Sequence, residues 1–252
     1  MRTSVSRFFN MYESVTLSLT DDKTSLNSTY FPPINVYENS EIALLSLQTY
    51  NTFPNINTSN NQLVIIIENG FNTYNKSIEL ETGCYEFSDI KKCILDKIKK
   101  INLELNVDVL LNLSVDSKNL KCYVYCNYTV DFNIQNSIAS VLGFEKITLT
   151  PNIFHESSKI FNINSVNTIK VMCNIANGSF HNGKSSHAVY EFSPDVNIGR
   201  KIIEKPNNLI YYPLTTNIIN SINITLLDQD YMPIYNLGEK VSIILHIKRC
   251  DS

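Results

Sequence analysis

Apolar and polar residues alternate along most of the chain with a period of two. In residues 12–19, Val15, Leu17 and Leu19 fall on one face, and hydroxyl side chains occupy the other. This alternation is typical of a half-buried β-strand. The same pattern predicts further strands at residues 41–50, 62–68, 75–80, 107–114, 120–126, 129–132, 168–175, 187–192, 221–227 and 240–247.

Turn-forming residues separate these predicted strands. Glycine, proline and asparagine combinations that favour turns occur at residues 31–33, 53–55, 69–70, 82–83, 177–178, 182–183, 206–208 and 237–238. Many short strands without regularly alternating helices are typical of an antiparallel sandwich and not of a βαβ array.

Two segments have the apolar spacing of a helix. In residues 88–101, Ser88 is a candidate N-cap, and the apolar stripe consists of Ile90, Ile94, Leu95 and Ile98. The outward positions hold Lys91, Lys92, Lys97, Lys99 and Lys100. This lysine face is typical of a solvated helix, and the alternative is contact with phosphate backbone. A second, short helix is predicted at about 134–142, where Gly143 would end it.

Length and charge narrow the class of protein. The chain has 252 residues, with 21 basic and 24 acidic side chains and a formal net charge of −3. This charge lacks the excess of a general nucleic-acid binder, so any genome contact would be weak and local. No apolar run reaches 18 residues, and residues 1–10 contain no signal-peptide core, so we expect an unprocessed chain without membrane contact. The length allows one elaborated domain or two small ones.

Cysteines and histidines form no metal-binding motif. Six cysteines without a CxxC pair are too sparse for a disulfide framework, and we expect reduced thiols. Cys122 and Cys126 would face the same side of a strand about 13 Å apart, which is too far for one metal ion. The four histidines are His155, His181, His187 and His246, and they include no HExxH pattern.

One short motif fits a nucleotide-binding pattern. Residues 178–185 read G-x-x-x-x-G-K-S, the P-loop signature. A working P-loop must open a helix, whose N-terminal amides hold the phosphates. Here residues 186–192 alternate as a strand and Pro194 follows, so we predict a β-hairpin with turns at its Asn-Gly dipeptides.

Catalytic patterns are also missing from the sequence. No G-x-S-x-G nucleophile elbow occurs, and residues 228–230, Asp-Gln-Asp, have the composition of a turn after a strand. Tyr50, Tyr211 and Tyr212 are candidates either for contact aromatics or for side chains that cap the core. We therefore predict no catalytic, cofactor-binding or metal-binding residue and no enzymatic activity.

Several ordered blocks resemble one protein family. The chain is similar to the penton (minor capsid) proteins of Polinton/Maverick elements, adintoviruses and related virophage-like viruses. The similar blocks are residues 42–55, 82–86, 137–144, 167–183, 186–187, 190–194, 199–206, 210–214, 227–230, 238–239 and 243–248. Two positions depart from the family pattern. After the Asp-Gln-Asp turn, related sequences would have a glycine and this chain has Tyr231-Met232-Pro233, which predicts another turn geometry. Lys184 is not a regular feature of its block.

The resemblance implies an all-β, antiparallel jelly-roll sandwich with one or two short inserted helices. It implies a single elaborated domain over residues 1–252, with a helical insertion at about 86–103. In a jelly-roll the terminal strands are neighbours, so residues 12–19 or 41–50 should lie beside residues 241–247.

The function implied is that of a penton subunit at icosahedral fivefold vertices. Its partners would be itself, as a homopentamer, and the major capsid protein. It would act without a cofactor or small-molecule substrate, in a virion made in the host cytoplasm or nucleus. The alternatives are a lectin-like or receptor-binding β-sandwich, a major capsid subunit of the same lineage, and a P-loop enzyme. A double jelly-roll major capsid protein would need substantially more than 252 residues.

Overall fold

The computed structural model describes residues 11–250, and the features noted in residues 1–10 lie outside this range. Nineteen strands and one α-helix form its regular structure. The elements before the helix are β1 (Met11–Tyr12), β2 (Ser14–Asp21), β3 (Ser25–Val36), β4 (Ser40–Tyr50), β5 (Gln62–Asn69) and β6 (Asn72–Glu79). They are followed by α1 (Phe87–Leu105), β7 (Leu111–Val115), β8 (Lys121–Cys126), β9 (Thr129–Asp131), β10 (Thr148–Leu149) and β11 (Phe154–Ile160). The last elements are β12 (Ile169–Cys173), β13 (Ser179–His181), β14 (Lys184–Ser186), β15 (Ala188–Phe192), β16 (Lys201–Glu204), β17 (Tyr212–Pro213), β18 (Ile218–Leu227) and β19 (Val241–Arg249).

The described residues form two compact units. Unit 1 consists of residues 11–53 and 166–250, and unit 2 consists of residues 54–165. Each unit has its own cluster of buried apolar side chains. The segment that interrupts unit 1 in the chain is therefore much longer than the helix predicted at about 86–103. A single domain over residues 1–252 remains a prediction.

Unit 1 has the strand order of a jelly-roll. One sheet runs β16-β4-β19-β2, and the other runs β3-β18-β12-β15 with β1 added at the edge of β3. Strands β2, β4, β16 and β19 thus lie in the first sheet, and β3, β12, β15 and β18 lie in the second. Consecutive strands of these eight alternate between the two sheets, except that β12 is followed by β15 in the same sheet. Neighbours within each of these sheets pair antiparallel, apart from the short parallel pairing of β1 with β3. This connectivity confirms the predicted antiparallel jelly-roll.

The last strand of unit 1 lies between two early strands. Strand β19 pairs with β2 from Val241↔Asp21 to Lys248↔Ser14, and with β4 on its other side. The predicted closeness of residues 12–19 and 41–50 to residues 241–247 is thus confirmed for both segments. Alternation along β19 buries Val241, Ile243, Leu245 and Ile247, which lose contact with water as the sheets pack.

The turn predicted at residues 31–33 is wrong, because these residues lie inside the long strand β3. Strand β18 pairs with β3 at Ser25–Thr29 and again at Ile34 and Asn35, with a register shift between Ile219 and Ser221. The two prolines fall in the gap between the paired stretches. There the ladder requires no backbone N–H from them, so proline is tolerated within the strand.

Unit 2 contains two small sheets and the helix. Their strand orders are β10-β9-β5-β6 and β11-β8-β7. Helix α1 buries Ile90, Ile94 and Ile98, as predicted, together with Ile101. The predicted N-cap is wrong, because the helix begins one residue before Ser88. The backbone N–H of the N-cap residue Glu86 donates to the Asp89 carboxylate at 3.1 Å.

The second predicted helix is reduced to one short 3-10 turn at Ile138–Ser140. Asn136 accepts a backbone hydrogen bond from Gln62 of β5 at 2.8 Å, and residues 134–136 form a bend and a turn instead of a helix. Ser137 then starts the turn by accepting from the backbone N–H of Ala139. Gly143 follows with a φ of 77°, so only the end of the predicted helix has its expected conformation.

Among residues 11–250, no helix is both long enough and apolar enough to span a lipid bilayer.

Candidate functional site

The P-loop-like residues 178–185 form a β-hairpin. Strands β13 and β14 pair from Ser179↔Ser186 to His181↔Lys184. Asn182 and Gly183 connect them with φ values of 48° and 77°, the left-handed conformations that a tight two-residue hairpin turn requires. Strand β14, not a helix, follows the glycine. The hairpin prediction is confirmed, and the helix N-terminus that holds phosphate in a P-loop does not occur at this place.

A surface pocket of about 480 Å³ lies beside this hairpin. It is lined by Met172, His181, Asn182, Lys184, Ser185, Ser186, His187 and Tyr231. The pocket therefore combines apolar surface with hydroxyl, amide, imidazole and ammonium groups, as ligand sites often do. His187 bonds the Ala176 carbonyl through Nδ1 at 2.6 Å. When Nδ1 carries the proton, Nε2 remains as a hydrogen-bond acceptor.

Tyr231 connects the pocket to the second sheet. Its ring meets the His181 ring edge-on, with the centroids 5.0 Å apart at 70°. The ammonium group of Lys170 lies 4.9 Å from the centroid of the Tyr231 ring. The Tyr231 hydroxyl is buried without a hydrogen-bond partner among the described residues. The ring thus joins the hairpin to strand β12 through aromatic and cation–π contacts.

The Asp228 turn places Tyr231 in a glycine-like backbone conformation. Tyr231 has a φ of 62°, within the left-handed region that glycine readily adopts. The side chain of Asp228 shapes the turn by accepting from the backbone N–H groups of Asp230 at 2.9 Å and Met232 at 2.8 Å. The prediction that residues 228–230 form a turn is therefore confirmed. A tyrosine tolerates this backbone here because its ring gains the contacts described above.

Lys170 is a buried cation that the sequence pattern did not identify. Strand alternation places it on the face opposite Ile169 and Val171, where a lysine is expected to be solvated. Instead its side chain is 3% exposed, and its Nζ lies 3.3 Å from a carboxylate oxygen of Glu191. Only the tertiary structure brings the Asp228 turn, with Tyr231, over this position.

His246 lies in a hydrogen-bonded chain of three side chains. Its Nε2 is 2.8 Å from the hydroxyl of Ser14, and its Nδ1 is 2.8 Å from the hydroxyl of Tyr211. The Lys248 ammonium group lies 4.1 Å from the centroid of the Tyr211 ring. Tyr211 is thus half-buried against the outer face of strand β19. Sequence spacing gave no signal for this arrangement, because Ser14 and His246 are 232 positions apart.

The remaining candidate ligands do not converge. Among residues 11–250, no three His, Cys, Asp or Glu side chains are grouped to hold a metal ion. Cys84, Cys93, Cys122, Cys126 and Cys173 are free thiols. Burial raises the pKa of the Cys122 thiol to about 12 and that of Cys173 to about 11. These thiols are therefore protonated and weakly nucleophilic at neutral pH.

The lysines of α1 form a partly paired surface. Lys99 contacts Asp96 at 2.8 Å, and Lys76 of β6 contacts Glu104 at 2.5 Å. Lys92 and Lys100 are exposed. Acidic neighbours thus offset part of the positive charge, as is typical of a solvated helix face.

The edges of the first sheet of unit 1 differ in charge. Strand β2 ends at Asp21 and is followed by exposed Asp22. A hydrogen bond with the Asp22 side chain lowers the pKa of Asp21, so its carboxyl is ionised at neutral pH. At the opposite edge, strand β16 begins with exposed Lys201, preceded by exposed Arg200, and Ile203 is 57% exposed.

Comparison with known proteins identifies the fold. No protein-family model matches the chain, and no curated protein matches it. Among solved structures, it is similar to the penton protein of mavirus, with 9% identity and a TM-score of 0.51. The likeness covers 94% of this chain and 100% of the mavirus chain. At this identity the likeness shows a shared fold, in agreement with the jelly-roll strand order of unit 1.

Proposed function

We propose that the chain is a penton-type minor capsid subunit, related to those of Polinton/Maverick elements, adintoviruses and virophage-like viruses. The observation that carries the proposal is the extent of the likeness to the mavirus penton protein, which covers 94% of this chain. Jelly-rolls alone serve many functions. Unit 2 has 112 residues, 54–165, and only 6% of the chain lies outside the likeness. The likeness must therefore include most of unit 2 as well as the jelly-roll of unit 1.

In this proposal the chain acts by assembly in the virion. Five copies surround an icosahedral fivefold axis and contact the major capsid protein, without catalysis or a small-molecule substrate. A single jelly-roll fits this role better than that of a double jelly-roll major capsid subunit. The strands of unit 2 form sheets of four and three strands and not a second eight-stranded sandwich.

Co-expression with the cognate major capsid protein tests the proposal. Cryo-electron microscopy of the particles should show extra density confined to the vertices, which is missing when this chain is omitted. The five-fold density should accommodate the jelly-roll of unit 1. Particles whose vertices are closed and identical with and without this chain would contradict the proposal.

A lectin-like binding module is the second candidate. The pocket beside the β13–β14 hairpin favours it, because Tyr231 offers an aromatic surface next to the hydroxyl and amide groups of Ser185 and Asn182. A glycan array would detect such binding, and Tyr231→Ala should abolish it. Phe180→Ser is the matched control, since Phe180 is 72% exposed on the same hairpin and does not line the pocket.

A further inference from the structure

The first sheet of unit 1 has two free edges. In the order β16-β4-β19-β2, strands β16 and β2 each have one paired neighbour. Three strand spacings of about 4.8 Å place these edges about 14 Å apart. An edge strand exposes unpaired backbone N–H and C=O groups, which a second chain can use for contact.

The strand register places opposite charges at the same height on the two edges. Ile203 of β16 is opposite Gln48 of β4, Gln48 is opposite Ser242 of β19, and Ser242 is opposite Thr20 of β2. Lys201 precedes Ile203 by two residues on β16 and is opposite Tyr50. Asp22 follows Thr20 by two residues, just beyond the end of β2. Lys201 and Asp22 are therefore at the same level on opposite edges.

The charged side chains on these edges are available to a partner. Within residues 11–250, no ion pair involves Arg200, Lys201 or Asp22. Groups of opposite sign also lie near these edges. Lys23 follows the acidic pair, Lys240 continues the β19 register opposite Asp22, and Glu239 lines a surface pocket together with Lys201. Glu204 of β16 accepts a hydrogen bond from the Tyr190 hydroxyl at 2.8 Å. The β16 edge therefore keeps a basic end next to an exposed apolar side chain.

A closed ring needs two different, complementary surfaces on each subunit, because each interface joins unlike patches. We infer that the β16 edge of one copy docks against the β2 edge of the next copy. Lys201 then faces Asp22, and Ile203 becomes buried near Thr20. This inference rests on the proposed penton function and names the surfaces by which the subunits would meet. When the ring axis runs along the strands, the matching heights place Lys201 level with Asp22.

Zero-length carbodiimide cross-linking tests this contact directly. The reagent joins a carboxylate to a touching lysine amine with loss of water, and an Asp22–Lys201 amide within one chain is prevented by the separation of the edges. The full-length chain is prepared in light and ¹⁵N-labelled forms, mixed, and co-assembled with the major capsid protein. Mass spectrometry should find the Asp22–Lys201 peptide with one light and one heavy partner, and denaturing gels should show a ladder that ends at five copies.

Charge exchange provides the matched variants. Lys201→Glu or Asp22→Lys alone should lower the yield of the five-copy product at least ten-fold. The double variant should restore the yield of the five-copy product to within about two-fold of the parent chain. Its cross-link joins the same two positions, with the carboxylate now at position 201 and the amine at position 22. Lys184→Glu, with the same charge change on the β13–β14 hairpin, should leave the yield unchanged.

The outcomes separate the two proposals. The inferred contact is overturned if vertex density is present but the mixed Asp22–Lys201 peptide is not found. It is also overturned if Lys201→Glu gives the same ladder of cross-linked products as the parent chain. Either result leaves the penton function standing. A cross-link from Lys201 to the major capsid protein instead of a second copy also overturns it. Missing vertex density in the unmodified chain contradicts the penton function itself.

Discussion

The ring of Tyr231 lies edge-on to the ring of His181, with their centroids 5.0 Å apart, and so attaches the β13–β14 hairpin to the Asp228 turn. The contact is made by a residue with a φ of 62°, a conformation that costs a tyrosine about 1–2 kcal/mol. Stabilising contacts and backbone strain therefore meet in one residue.

Substitution at Tyr231 should separate these two contributions. Tyr231→Ala loses the ring contacts and keeps the strain, and it should lower the free energy of unfolding by about 2 kcal/mol. Tyr231→Gly loses the same contacts but relieves the strain, so it should be about 1 kcal/mol less destabilising than Tyr231→Ala. Urea denaturation of both variants measures the difference. Equal stabilities would show that the left-handed backbone carries no strain.

Lys170 and Glu191 should respond unequally to substitution. Glu191→Gln leaves the 3%-exposed Lys170 without its carboxylate and should destabilise the chain by about 1 kcal/mol, since Glu191 itself is 41% exposed. Lys170→Met replaces the buried cation with an apolar side chain of similar length, and should be neutral within about 1 kcal/mol. Thermal or urea denaturation compares them. A larger loss in Lys170→Met than in Glu191→Gln would contradict this account.

Gly143 should tolerate no side chain. An added β-carbon would lie 2.3 Å from the backbone oxygen of Lys159, and the φ of 77° is unfavourable for other residues. Gly143→Ala should lower the free energy of unfolding by about 3 kcal/mol or more, because backbone atoms must move. Gly70 is a control, since its φ is 62° but no atom lies within 4 Å of an added β-carbon. Gly70→Ala should cost only about 1 kcal/mol, and similar losses in the two variants would argue against the close approach.

Cys173 should make stability fall at alkaline pH. Burial raises its pKa from 9.0 to about 11. Above pH 9 the unfolded chain releases a thiol proton that the folded chain retains, so unfolding becomes more favourable as the pH rises towards 11. The contribution is on the order of 2 kcal/mol. Urea midpoints at several pH values should fall less steeply in Cys173→Val than in the parent chain, and parallel curves would contradict the prediction.

Lys184 should have no role in nucleotide binding. Its place in the β14 strand lacks a following helix, so ATP with Mg²⁺ should not shift the thermal midpoint of the chain. Differential scanning fluorimetry of the parent chain and Lys184→Ala, with and without ATP, provides the test. A stabilisation by ATP that disappears in Lys184→Ala would revive the P-loop hypothesis.

Local patterns predicted most strands and the course of α1, because the periods of a strand and of a helix are visible in consecutive residues. They failed where a distant segment decides the local conformation. Residues 31–33 lie within strand β3, because β18 pairs with β3 on both sides of them and leaves the prolines themselves unpaired. Residues 134–137 are not helical because Asn136 pairs with Gln62 of β5.

Local sequence patterns are sufficient to predict the β-sandwich class, the hairpin at residues 178–185 and the turn at residues 228–230, since all three depend on neighbouring residues. Long-range packing sets which strands share a sheet, the length of the segment inserted into unit 1, the burial of Lys170, and the level positions of Lys201 and Asp22 on opposite edges. These features depend on residues far apart in the chain, and the free energy that brings them together comes from burying side chains of both sheets at once.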